Sequence, residues 1–395
     1  MSSQGKKSLS ILIVDDDPNM LAQYSASSAM KPEGWLVRTA KDGVEGVSML
    51  KSARTDIIVT ALNMAQMNGS EVLAAAKRES PNSLRFLYHG TNDKELLTKA
   101  TGLAHQYLES PSPAELARSI RIVLMTQLRI RKPSVAKIVR DTKELHVNTE
   151  PMQELLRTAD DPECDIECLS KIISKHPTAV ATALQVANTA FFGAGGRIET
   201  IEEALQLLGM DFVRNLAVTE LAKKQLALPR SLQEIANAVL QHSIQSSQYG
   251  FQMKSHVKNV KLIQTLCSLA LLHDLGKLVF LANDGNNYAD VLSESIDRSI
   301  PAWRIEQSHY GCDHAAVGGF LFAMWGLPEI IIRSVTWHHE ALKVSQKDFC
   351  PVSLLHYSNA AAHLKNEMAY YCGDVLDTEL SEKQELPNDY ARDFD

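Results

Sequence analysis

The opening of the chain has no long apolar run. After Lys6-Lys7, the stretch Leu9–Val14 ends against Asp15-Asp16-Asp17, too short for a signal peptide or a membrane span. A cytoplasmic protein with no membrane partner is the expectation. Cysteine is sparse: six residues, with no spacing typical of a zinc site or a disulfide framework. Cys164 and Cys168 stand four apart on an expected helix and the others are scattered, so reduced thiols are expected. Basic charge is also wanting: 40 Lys and Arg against 47 Asp and Glu leave a net charge of −7, and nothing in it suggests an electrostatic track for nucleic acid. The glycines of "FFGAGGR" (Gly193, Gly195, Gly196) are not followed by a phosphate-binding lysine and read as a turn. Internal repeats and low-complexity tracts are absent.

What is present suits two or three domains, each burying its own core: 395 residues, 45% hydrophobic and 22% charged. The acidity is concentrated in a tail. From Asp374 to Asp395 eight acids face two bases, −6 of the total −7, as in a solvated, disordered end or an interaction arm. Near the start, "SLSILIV", "WLVRTA", "DIIVTAL", "LRFLYHG" and "HQYLES" read as five strands with helical stretches between them. "GSEVLAAAKRES" is one such helix, with Val72, Leu73 and Ala76 on one face. Five alternations predict a doubly wound, parallel α/β sheet, whose functional residues gather at the carboxyl ends of the strands.

Those ends resemble the receiver domain of two-component response regulators, over residues 8–124. "VDDDP" is similar to the family's magnesium-binding acidic pair, here Asp15 and Asp16. "LNM" (Leu62–Met64) resembles the loop after the phosphoacceptor, and Tyr107 stands at the switch aromatic. The resemblance implies a flavodoxin-like five-stranded fold. It also puts Ala61 where the family has its acceptor Asp, His89 where it has Ser or Thr, and Ser110 where it has Lys. A methyl group cannot attack phosphorus, and without the lysine no cation pairs with a phosphoryl dianion. The expectation is a pseudo-receiver that folds and docks without being phosphorylated. Asp15 and Asp16 then finish a strand, ranked ahead of a residual cation site.

"IRIVLMTQLRIRKPSVAKIVRDTKEL" predicts a helical connector over 125–148, broken at Pro133. Its Arg129, Arg131 and Lys132 fit a solvated helix face better than a site for an anionic partner. From 149 to 366 only helical patterns follow, as in an all-α bundle: Leu169, Ile172 and Ile173 on one face, then Ile201, Ala204, Leu205 and Leu208 on another. Gly209 ends that stripe and a new helix is expected near Asp211; residues 367–395 form the acidic tail. Polar groups then appear inside apolar stretches: His242; His273, Asp274 and Lys277 in an expected helix; Asp313 and His314; His338 and His339. Each histidine of the set taken singly is better explained as a hydrogen-bonded core residue, and His309 and His356 as ordinary polar residues near a crowded helix end. As an ordered set they could meet on one divalent cation. Trp303, Trp325 and Trp337 read as helix-packing residues.

"ALQVANTAFFG", "EEALQLLGMDFVRNL", "ALLHDLGKLV" and "DHAAVGGFLFAMWGLPEIIIRSVTWHH" together resemble the HDOD family, the HD-related output domain of bacterial signalling proteins. The resemblance implies an HD-type helical bundle. His242, His273, Asp274, His314 and His338 match the metal positions of the HD pattern, and Lys277 its lysine. Asn359 falls at the last ligand position, where the pattern has Asp, and brings no charge. After His339 the GYP signature is missing. The leading expectation is a regulatory adaptor that engages signalling proteins, with a homodimer as one form of contact. The alternatives are a metal-dependent phosphohydrolase or phosphodiesterase using Asp274 and Lys277, or a metal or nucleotide sensor in the same pocket. A divalent metal is the one cofactor that the pattern admits.

Overall fold

The computed structural model describes residues 8–32, 34–89, 103–141, 164–188, 198–208, 229–253, 257, 259–344, 349–365 and 379–380. The chain divides into two compact units, the first built on Met1–Leu124 and the second on most of Met125–Asp395. The turn at Gly193, the helix expected from Asp211 and most of the acidic tail lie outside the described residues.

In the first unit β1 (Leu9–Val14), β2 (Trp35–Ala40), β3 (Ile57–Ala61), β4 (Leu84–His89) and β5 (Gln106–Glu109) form one parallel sheet in the order 2-1-3-4-5. That is the predicted flavodoxin-like arrangement. β1 and β3 are continuous β-branched and leucine runs buried on both faces, as central parallel strands require. The helices between them start at side-chain caps. Asp17 accepts from the Asn19 amide (2.8 Å) at the head of α1 (Pro18–Ala26), and Asp42 accepts from Glu45 N (2.8 Å) at the head of α2 (Gly43–Ser52). α3 (Gly69–Glu79) opens with a capping box between Asn68 and Glu71. Pairing of Val14 with Thr60 and of Ala61 with Tyr88 brings the ends of β1, β3 and β4 level, so Asp15, Ala61 and Tyr88 share one edge.

α4 (Pro113–Gln127) closes the alternation, and the chain leaves helix before Pro133 starts α5 (Pro133–Asp141). Among the described residues, everything after β5 is helical or irregular. α6 (Ile166–Ser174), α7 (Pro177–Ala187) and α8 (Ile201–Leu208) pack together through Leu169, Ile173, Val180, Ala204 and Leu205. α9 (Arg230–Gln252), α10 (Val260–Leu272) and α15 (Pro351–Lys365) form the heart of the bundle. Around them run α11 (Leu275–Asp297, kinked at Asp284), α12 (Ala302–Tyr310), α13 (His314–Met324) and α14 (Glu329–Trp337).

The HD doublet lies between helices rather than within one. His273 ends α10, and Asp274, at φ −96° and ψ 4°, precedes α11. The turn works because Gly276 has no side chain: a Cβ there would strike the His314 carbonyl oxygen and come within 3.0 Å of Gly318 N. The glycine of "HDLGK" therefore sets how closely α11 approaches α13.

Candidate functional sites

At the strand ends of the first unit the acidic residues are already bonded to protein. The Tyr88 hydroxyl donates a short hydrogen bond to Asp15 Oδ2, and Asp17 N donates to Asp15 Oδ1 at 3.0 Å. Burial lifts the Tyr88 phenol far above its usual pKa, and the Asp15 bond lifts it further, so it stays a donor. Asp16 accepts from the Ala65 amide at 2.8 Å. Between them Ala61 presents a buried methyl at the end of β3. The loop after it folds back tightly: Gly69 N donates to Leu62 O (2.8 Å), and a Cβ on Gly69 would strike the Ala61 carbonyl. Asp16, Asn63, Met64, Ala65 and Asn68 line a shallow opening above the sheet edge. Tyr107 lies half-buried, packed against the core of the first unit. His89 ends β4, and Ser110 is exposed just beyond β5 with φ +33°. Sequence reading passed over Tyr88, whose reach to Asp15 comes from the sheet pairing and not from its own strand's pattern.

In the second unit the histidines converge. His242 (α9), His273 and Asp274 offer ligand-type atoms all within 4.8 Å of one another, and so do His314, His338 and His339. Asn359 on α15 sits between two rings, its Oδ1 2.7 Å from His242 Nε2 and 3.2 Å from His273 Nε2. His273 Nδ1 donates to the Ala270 carbonyl (2.7 Å), which leaves a lone pair on Nε2 facing that oxygen. Two acceptors at that distance repel until an N–H or a cation comes between them. His338 is arranged alike: Nδ1 donates to Val335 O at 2.7 Å, while the buried Nε2 has no hydrogen-bond partner. These outward lone pairs suit a cation.

The other half of the pocket is neutral by itself. Lys277 Nζ meets Asp274 Oδ2 at 2.7 Å. His314 spans two carboxylates, with Nε2 3.1 Å from Asp274 Oδ1 and Nδ1 2.7 Å from Glu306 Oε2. Burial alone would depress the His314 pKa, but Glu306 and Asp274 outweigh it and raise it to about 9. Burial pushes Asp274 and Glu306 up; the His273 ring, Lys277 and His314 beside the one and His314 beside the other outweigh it and hold both below the ordinary range. Two cations and two anions thus balance with no metal ion. The remaining rings are kept neutral by burial: His242 falls to about 3, and His273, His338 and His339 are lowered as well.

Two participants, His363 and Glu306, were not singled out in the sequence, and His339 was named there without a metal position. His339 lies 2.8 Å from His314 through their Nε2 atoms and stacks on Trp303. His363 stacks on His242 at 4.1 Å. Glu306, fully buried, also accepts from Tyr288 Oη and His314 N, both at 2.7 Å. A glutamate one helix upstream of a histidine carries no local signal of such a bond. Asp313, by contrast, stands outside both clusters: it accepts from Ala316 N (2.7 Å) and Gln307 Nε2 (2.8 Å) as a cap for α13. His356 is buried, with Nδ1 on the His338 carbonyl (2.9 Å), and His309 pairs with Glu294 at the surface.

The expectation of a solvated basic face in the connector holds for Arg131 and Lys132, which are exposed, and is corrected at Arg129. Arg129 lies 4.0 Å from the Trp337 ring centre, 3.0 Å from Glu340 Oε2 and 3.9 Å from Asp313 Oδ2. Arg131 N donates to Gly311 O at 3.4 Å, and Lys132 Nζ donates to the His309 carbonyl. Charge pattern alone had no way to show that Trp337 and Glu340 would meet this guanidinium.

A parallel α/β domain with carboxylates at its strand ends, followed by a helical bundle with histidines around a buried Asp, is the architecture of a signalling regulator. Comparison with known proteins makes the class specific. Residues 11–121 match the response regulator receiver domain, and residues 146–341 match the HDOD domain. The chain is a response regulator that joins a receiver to an HDOD output domain. Over 218 residues it is 23% identical to an uncharacterized protein of Treponema pallidum, covering 55% of this chain and 41% of that one. Over 132 residues it is 34% identical to the probable transcriptional regulatory protein TcrX of Mycobacterium tuberculosis, covering 33% of this chain and 53% of TcrX. The chain thus spans about half the length, or less, of these curated relatives. A crystal structure of a virulence factor from Campylobacter jejuni shares the fold, with a TM-score of 0.50 and 18% identity over 66% of this chain and 97% of that one. No described helix is long and apolar enough to cross a membrane.

Proposed function

We propose that this regulator works without phosphorylation: a pseudo-receiver takes its input by protein contact, and the HDOD bundle passes it on in the same way. The reading rests on the strand-end edge of the first unit. Ala61 supplies no nucleophile, and the flanking carboxylates are engaged by Tyr88 and by the Ala65 amide. A receiver fold retains two-state character even so, and a partner can bias it. The partners are signalling proteins, a second copy of the chain among them, and the setting is the cytoplasm, in keeping with the lack of a disulfide among the described cysteines. The test is incubation of the purified chain with acetyl phosphate and magnesium. No acid-labile, hydroxylamine-sensitive acyl phosphate is expected, and finding one ends the proposal.

A second reading is favoured by the lone pair on His338 Nε2 and the facing acceptors of His273 and Asn359. In that reading His242, His273 and Asp274 hold one divalent cation and His314, His338 and His339 have the geometry for another. Such a cation would supply Lewis-acid activation of water for phosphoester hydrolysis, or simply sense metal or nucleotide. Lys277, bonded to Asp274, is placed to steady a phosphate. The uncharged Asn359 and the self-neutral quartet weigh against tight binding. Elemental analysis of the purified protein beside hydrolysis of a generic phosphodiester separates the readings: metal with turnover lost in Asp274→Ala means an enzyme, metal without turnover a sensor, and neither an adaptor.

A further inference from the structure

At the head of α6, in the HDOD-type unit and apart from the histidine pocket, two partly exposed cysteines face each other. Cys164 Sγ lies 2.7 Å from Cys168 Sγ. A disulfide needs about 2.05 Å, so the sulfurs have about 0.7 Å left to close. The backbone between them is already shaped for it. Asp165, the helix cap, accepts from Cys168 N at 2.8 Å, which fixes the turn that carries both side chains. Behind that turn Leu169, Ile172 and Ile173 are buried, so the first turn of the helix is held in place while its sulfurs stay accessible. Of the other described cysteines, Cys312 is buried and Cys350 is partly exposed with Ser353 as its neighbour.

We propose that Cys164 and Cys168 form a redox-sensitive dithiol, which a peroxide converts to an intramolecular disulfide and a small dithiol reductant restores. In the first step the thiolate of one cysteine attacks a peroxide oxygen; the O–O bond breaks, hydrogen peroxide's other oxygen leaves as water after taking a proton, and a sulfenic acid remains. In the second, the neighbouring sulfur attacks the sulfenic sulfur, the S–O bond breaks and a second water departs. Two thiols and one hydrogen peroxide give one disulfide and two waters, the peroxide taking up both electrons. The enclosed loop is only five residues long, from Cys164 to Cys168. Closing so short a loop removes little freedom from the unfolded chain, which marks the bond as reversible control rather than as a structural staple. Oxidation would then cover both thiols and stiffen the first turn of α6, a change on the surface of the HDOD unit that needs no phosphate.

The experiment uses the full chain, reduced, desalted and treated with one to ten molar equivalents of hydrogen peroxide. Iodoacetamide alkylation and tryptic mapping follow. Both cysteines lie in the single tryptic peptide Thr158–Lys171. The expected product is that peptide lacking two hydrogens and carrying no alkyl group, formed about tenfold faster than any oxidation at Cys350, and converted by dithiothreitol to the doubly alkylated form. In Cys168→Ser the disulfide species should vanish, while a dimedone-reactive sulfenic acid should appear on Cys164. Recovery of the doubly alkylated wild-type peptide after ten equivalents, or oxidation of the pair no faster than Cys350, overturns the proposal. So does a stoichiometric soft metal ion that protects both thiols from peroxide.

Discussion

Removing one oxygen from Tyr88 probes how firmly the receiver's acidic edge is closed. In Tyr88→Phe the ring stays in place, edge-on to Tyr24 at 6.2 Å between centres. The donor to Asp15 is lost, although both residues are buried, 4% and 5% exposed. A hydrogen bond to a charged group contributes about 1.5–3 kcal/mol, and its buried partner must then be solvated or left unpaired. Asp15 keeps the Asp17 amide, so the lower half applies: about 2 kcal/mol, or roughly 1 M in urea midpoint at a slope near 2 kcal/mol per molar. Local hydrogen exchange across Leu9–Val14 and Leu84–His89, followed through a urea titration, reads this unit separately from the second. The variant also uncovers an oxygen that a divalent cation can use. Millimolar magnesium should restore about 1.4 kcal/mol at ten times its dissociation constant in the variant, yet leave the wild type unmoved. A wild-type midpoint that rises with magnesium, or a variant as stable as its parent, refutes the closed edge.

Other outcomes follow from the second unit. Gly276→Ala should destabilise by about 1–3 kcal/mol through collision with the His314 carbonyl, although Ala is the better helix former by about 1 kcal/mol; a rise in melting temperature would show that α11 and α13 are not in close contact. Arg129→Ala should cost about 1–2 kcal/mol and shift Trp337 emission, since it removes both the stacked guanidinium and the Glu340 pair; an unchanged spectrum speaks against the contact. Melting against pH should peak near neutrality. Below pH 6.5 the unfolded chain takes up protons that buried His242 refuses, down to about 3, so at pH 5 that ring alone costs up to about 2 kcal/mol. His314 acts with the opposite sign: its contribution is complete below pH 6.5 and is lost as pH rises through about 9. A flat melting profile from pH 5 to 9 would contradict both.

The first unit was legible almost strand for strand, because a central parallel strand is a run of apolar, β-branched residues and little else reads that way. The places of Ala61, His89 and Ser110 at or just past strand ends were legible too, since each stands at a short distance from a strand pattern. Tyr88 was not, because "LRFLYHG" does not say which of its side chains reaches across the sheet to Asp15. In the bundle, His242, His273, Asp274, His314 and His338 could be placed by motif. The break between α10 and α11 could not, since the apolar pattern runs through it unchanged and only the backbone at Asp274 turns. Glu306 and His363 join the cluster from separate helices, and no periodicity within either helix reports a neighbour on another.

The grip of Arg129, Arg131 and Lys132 on the loop before α13 and on the turn after α14 bears on where the protein can be cut. An expression fragment that starts at 149, where the helical pattern begins, strips the covering cation from Trp337 and leaves Glu340 without it. Such a piece would carry a bared indole and invite aggregation. One that begins at Met125 keeps its own lid.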